Sequence, residues 1–223
     1  MVTNLLYFFE TAKKVRGGRW VWVKDGNGEN RSNILLGGTL ANPNKGFGHI
    51  WAAQLLQYTP GQPILLFRSF AISKASTGTT LYIKGDGFSD APEVGQVIMV
   101  APDDATTTGQ SAKITNVVYN ESAAEFTVTI DTALSASALA ADTILVEAKG
   151  TAASDEAEVL CPKPNIFNEA DRDLLPTEGY GMENANYAIS GVYHKEAWIA
   201  KMQPLPKYVL AYNKSLIDGI FEI

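Results

Sequence analysis

The sequence predicts a mainly β protein, in which a small β-sandwich or barrel module is inserted in, or follows, an aromatic-rich β terminal region. Three observations predict it. Short runs of alternating apolar and polar residues recur between residues 79 and 150, separated by turn-prone loops at the spacing of a small all-β module. Trp20, Trp22 and Trp51 lie before residue 67, after which tryptophan vanishes and Ala, Thr and Ser rise. Aromatic residues then return after residue 151, which divides the chain into an inserted module, 68–150, and two flanks, 1–67 and 151–223, expected to pack together. With 223 residues, 46% hydrophobic and 19% charged, the chain has ample apolar material for a packed core and is not a disordered tail.

The elements follow in order. "LLYFF" (Leu5, Leu6, Tyr7, Phe8 and Phe9) is an apolar block near the N-terminus. "GGRWVWVKDGNGENRSNILLGG" reads as a hairpin. Trp20 and Trp22 share one face of its first strand, Val21 and Val23 the other, and the glycines of "DGNGEN" accommodate the turn. His49 to Tyr58 reads as a short helix or a buried strand, and Pro60–Gly61 then turns the chain into one strand, "PILLFRSFAI".

Five strands are expected in the middle region: "TTLYIKG", "GQVIMVAP", "SAKITNVVYN", "EFTVTIDT" and "DTILVEAKG". In "EFTVTIDT", Phe126, Val128 and Ile130 share one face while Thr127, Thr129 and Asp131 share the other, the mark of a half-wet sheet. "NESAAE" is a hairpin loop, and "ALSASALAA" is expected to add one helical turn. Beyond it, "TAASDEAE" is a polar link, "YAISGVYHKEAWIAKM" reads as extended, and the chain ends on an apolar strand, "GIFEI". An apolar end is expected to be tied down against this chain's core or a neighbour's. Ile220, Phe221 and Ile223, with Leu5, Leu6, Tyr7, Phe8 and Phe9, are therefore the expected subunit or capsid contacts, finishing the protein's own sheet being the plainer reading.

Charge and motif content argue against several functions. A net charge of −6 and a pI near 5.0 repel phosphate backbones, so no nucleic-acid partner is expected. The single cysteine, Cys161, excludes an intrachain disulfide and a Cys-rich zinc site, and reads as a small buried residue. No apolar run approaches the roughly 20 residues of a membrane helix, so no membrane partner is expected, and the chain reads as a soluble, unprocessed product.

Catalysis finds no foothold. The two histidines, His49 and His194, belong to no nucleophile elbow or zinc-protease motif. Asp103 and Asp104 are adjacent, so on a strand they would face opposite ways rather than share an acid–base pocket. "KGDGFSD" resembles a calcium loop only superficially, lacking the alternating acidic pattern and the closing glutamate. No phosphate-binding glycine loop occurs. The expectation is therefore no enzyme, no catalytic residue, no cofactor and no metal.

A family resemblance rests on longer phrases. The run "LLFRSFAISKASTGTTLYIKGDGFSDAPEVGQVIMVAPDD", then "GQSAKITNVVYNESAAEFTVTID", and the closing "AWIAKMQPLPKYVLAYNKSLIDGIFEI" resemble head-associated structural proteins of tailed bacteriophages. The likeness is to phages of gut Bacteroidetes, including the crAss-like group. It implies a virion component on the capsid surface, assembled in the host bacterial cytoplasm: a decoration (auxiliary) protein or the attachment base of a head fibre. It further implies the major capsid protein and sister subunits as partners, a homotrimer matching the local three-fold axes of a capsid. The alternative is a carbohydrate- or receptor-binding module on the virion surface, with Trp20, Trp22, Trp51 or Tyr82 as its aromatic platform, although the apolar alternation around the three tryptophans favours core packing over surface display. A third reading, a polysaccharide hydrolase, needs a carboxylate pair from distant parts of the chain.

Overall fold

The computed structural model describes residues 33–39, 49–51, 54–87, 89–152, 156–164, 166–168, 172–173, 181–188 and 204–212. Among them the protein is mainly β, with thirteen strands and one six-residue helix. In chain order the strands begin with β1 (Asn33–Thr39), β2 (His49–Ile50), β3 (Leu55–Gln57) and β4 (Leu65–Leu66). Then come β5 (Ser69–Ala71), β6 (Thr80–Lys84), β7 (Val97–Val100), β8 (Ser111–Asn120), β9 (Glu125–Ile130) and β10 (Ile144–Glu147). β11 (Ile166–Asn168), β12 (Arg172–Asp173), β13 (Gly181–Ala188) and the helix α1 (Lys207–Tyr212) complete the described chain.

The chain divides into two compact units. The first holds Arg68–Pro162 and the described residues 204–209; the second holds the described residues of 33–67, 163–188 and 210–212. In the second unit five strands form an antiparallel sheet in the order β1-β13-β11-β3-β4, so segments from both ends of the chain interleave. β2 pairs separately with β12. Of the span His49 to Tyr58, His49–Ile50 and Leu55–Gln57 are strand, as β2 and β3, and Gln54 Oε1 accepts the Trp51 N–H at 3.2 Å.

The first unit carries six antiparallel strands in the order β5-β10-β7-β8-β9-β6. An antiparallel bridge between Ile72 and Ile83 joins its two ends, supported by the Ser73 N–H donating to the Tyr82 carbonyl at 2.8 Å. Hydrogen bonding therefore runs round all six strands. Alternation fills the interior: Leu81 and Ile83 from β6, Phe126, Val128 and Ile130 from β9, and Phe70 from β5 are each at most 2% exposed. Thr127 and Thr129, on the opposite face of β9, are half-buried, as their positions in "EFTVTIDT" require.

Four expectations are corrected. "PILLFRSFAI" is not one strand but two, β4 and β5, in different sheets, because the backbone leaves its ladder at Phe67 and Arg68. "ALSASALAA" forms no helical turn; it runs through bends at Leu134, Ala136 and Ser137 to a bridge from Leu139 to Ser76. The polar stretch after residue 150 is not wholly a link: Ala157 bridges Gly109 and Val159 bridges Ala148, so the first unit continues to Pro162. "PKYVLAY" contains the helix α1 where none was expected.

Candidate functional site

The densest buried polar cluster gathers where the chain enters the first unit. Arg68 is the residue at that entry, and its side chain is only 4% exposed. Its Nε donates to Glu147 Oε2 at 3.1 Å and its Nη2 to Glu147 Oε1 at 2.6 Å, a two-pronged pair linking the chain entry to β10. Gln96 Nε2 donates to the same Glu147 Oε1 at 3.1 Å, and Gln96 Oε1 accepts the Glu93 N–H at 2.7 Å. Glu93 Oε2 stands 4.0 Å from Arg68 Nη1. Next in the chain, the Ser69 N–H donates to Asp90 Oδ2 at 3.0 Å and the Ala71 N–H to Ser89 Oγ at 3.2 Å.

The electrostatics follow from this geometry. Burial opposes the charge on Arg68, but Glu147, with Glu93 and Asp90 behind it, outweighs burial and raises the guanidinium above its ordinary value. Glu147 in turn accepts three hydrogen bonds, two from Arg68 and one from Gln96. Both oxygens of the Glu147 carboxylate are thus taken up by neighbouring side chains, and the guanidinium is clamped at two points. The cluster is built to hold backbone segments together.

A second cluster lies at the join between β5 and β6. Glu125, at 8% exposure, accepts hydrogen bonds from Ser73 Oγ and, at 2.8 Å, from Lys74 Nζ. That ammonium also sits 3.9 Å from the centre of the Tyr82 ring, a cation–π contact. Ser76 Oγ accepts the Tyr82 N–H and donates to the Lys74 carbonyl, both at 3.0 Å. The serine–carboxylate contact resembles half of a nucleophile pair. The lysine ammonium takes the other carboxylate oxygen at 2.8 Å, so both oxygens of Glu125 are engaged.

The acidic residues singled out from sequence are occupied in turns. Asp103 and Asp104 lie in a bend rather than a strand, and they serve different partners: Asp103 pairs with Lys207, while Asp104 accepts from the Thr106 N–H and hydroxyl. Those two Thr106 bonds lower the Asp104 carboxyl below its ordinary range. In "KGDGFSD", Asp86 Oδ1 accepts the Ser89 N–H at 3.2 Å and Asp90 serves Ser69. Among the described residues, no three His, Cys, Asp or Glu side chains are grouped as a metal site. Cys161 is buried, and burial together with the nearby Glu147 charge raises its thiol well above the ordinary value.

The expected contact residues fare unevenly. Leu5, Leu6, Tyr7, Phe8, Phe9, Ile220, Phe221 and Ile223 lie outside the described residues, as do Trp20, Trp22 and His194. Trp51 is 2% exposed: it takes the core placement that its apolar alternation favours, and not the surface position that a sugar platform needs. Tyr82 offers only part of its ring, since Lys74 covers one face. Sequence reasoning passes over Arg68, Gln96, Glu125 and Glu147. A signal exists for two of them: "LLFRSFAI" and "TILVEA" each set one charge, of opposite sign, in an apolar strand run.

No family model, curated protein or solved structure matches the chain.

Proposed function

We propose that this chain is a structural virion protein of a tailed bacteriophage, a capsid decoration or head-fibre attachment protein that acts through protein–protein contacts. The observation that carries the reading is how the first unit uses its buried polar groups. Arg68 and Gln96 both bond Glu147, across 79 and 51 residues of sequence, and Glu125 ties the loop after β5 to β9. Arg68 Nη1 makes no hydrogen bond among the described residues and stands 4.0 Å from Glu93. Each is used to hold chain crossings and none converges on a reacting atom. Such a molecule works by the shape it presents. The sequence resemblance to phage head-associated proteins supplies the setting in which shape and repeated contact suffice, with the major capsid protein and sister subunits as partners.

The test is composition of purified particles. Mass spectrometry of virions banded from a producing lysate is expected to find this chain at a fixed ratio to the major capsid protein, retained through salt washing. Its confinement to the particle-free fraction would overturn the reading.

A further inference from the structure

The described C-terminal segment reaches the first unit by a detour. The chain leaves that unit after Pro162, contributes to the other unit, and returns for residues 204–209. The segment is a proline-led single turn, "PLPKYV", running into the six-residue α1. A helix this short has no stability of its own in water, so side-chain burial must hold it. Pro206, Tyr208 and Val209 are buried, while Lys207, Leu210 and Ala211 are exposed. Tyr208 Oη donates to the Cys161 carbonyl at 3.4 Å, beside the point where the chain departs. Lys207 Nζ pairs with Asp103 at 2.9 Å, with both side chains more than three-quarters exposed, an arrangement that contributes little.

The segment takes no place in the order of six strands, and those strands close on themselves through Ile72 and Ile83. Lifting it therefore breaks no rung of that ladder. Cys161, whose carbonyl takes the Tyr208 bond, is 4% exposed, so its thiol meets a reagent only when something moves.

We propose that residues 204–209 form a strap that opens from the first unit while the six-stranded ladder stays folded, and that this opening uncovers Cys161. The unit then has two states, strap down and strap up, separated by a local rather than a global transition. A partner that binds Tyr208 and Val209, or the surface they vacate, shifts the balance between the two.

Labelling of Cys161 in the full chain by a small aromatic disulfide reagent tests this, with far-ultraviolet circular dichroism following the strands across a urea series. In the natural sequence, labelling below the unfolding transition is expected to depend only weakly on urea. Tyr208→Ala is expected to speed it about 10-fold or more, in keeping with the loss of one large buried side chain. Should Tyr208→Ala also lower the unfolding midpoint, rates are compared at equal global stability: an excess over the natural sequence supports the strap, and no excess overturns it. Should Tyr208→Ala fail to fold, Tyr208→Phe decides, by a severalfold rise in low urea or by its lack. Labelling that follows global unfolding at every urea concentration overturns the proposal.

Discussion

Arg68 shows how one side chain can organise a unit. A guanidinium inside an apolar run must be paired or it will not be buried, and Glu147 pairs it from β10, 79 residues away. The pair need not add net stability, because taking both charges out of water costs about what their attraction returns. What it adds is an intolerance of being half removed. Arg68→Met is expected to destabilise the first unit by about 3–5 kcal/mol, since it strands a buried carboxylate. Adding Glu147→Leu is expected to recover most of that loss, with the two changes strongly non-additive. Urea unfolding of the single and double variants checks it, and additive losses would show that the two residues act separately.

Among the elements, the β8–β9 hairpin is the most closely determined. Tyr119, at the end of β8, is buried, donates from Oη to the Gly85 carbonyl at 3.1 Å, and stacks at a tilt on Phe126 with centroids 4.6 Å apart. Gly85 is glycine because this ring lies against it: an added Cβ would stand 2.5 Å from Tyr119 Cε2 and 3.0 Å from the Ala124 backbone. Gly85→Ala is expected to cost about 1–3 kcal/mol through that overlap. Ala124, which closes the turn, has φ of 46°, a region costly for any side chain. Ala124→Gly is expected to gain about 0.5 kcal/mol, strain relief exceeding the added freedom of the unfolded chain. Thermal unfolding of both variants measures the two shifts, which are expected to be opposite in sign.

At the scale of the whole molecule, two compact units share one chain that passes between them repeatedly, after Phe67, Pro162 and Val209 among its crossings. In the first unit a bridge between Ile72 and Ile83 ties the β5 end of the described strand order to the β6 end, which covers part of those two edges. Outward apolar side chains on this unit include Val94 and Val118, 64% and 52% exposed. The proposed decoration role carries an expectation here. Light scattering coupled to size-exclusion chromatography is expected to show a symmetric oligomer, a trimer matching capsid local axes. A monomer at every concentration tested would weigh against lattice binding through sister subunits.

Part of the first unit is legible in the sequence because strands such as β9 alternate. "EFTVTIDT" declares which side faces inward, since a period of two belongs to a pleated strand with one face buried. "SAKITNVVYN", by contrast, shifts register between Ile114 and Asn116, leaving Val118 exposed and Tyr119 buried, and "DTILVEAKG" buries Leu145, Val146 and Glu147 in succession. "PILLFRSFAI" reads as one strand because an unbroken apolar run gives no sign of where the backbone changes sheets. The helix α1 is not legible, because six residues are too few to show a helical period. Packing of Tyr208 and Val209, rather than intrinsic preference, forms it. The buried cluster is half visible: Arg68 and Glu147 each stand out as a lone charge in an apolar strand. Nothing local says that they meet.

The sequence by itself determined a mainly β protein, the inward face of "EFTVTIDT", and the turns between the middle strands, all properties of neighbours within a few residues. Only the tertiary structure decided that Ile72 bridges Ile83, that Arg68 finds Glu147, and that a C-terminal segment returns to hydrogen-bond the Cys161 carbonyl. The reason is physical. Alternation is enforced residue by residue by the pleat, whereas long-range partners are selected by the free energy of burying a charge or a ring, which no single stretch of sequence contains.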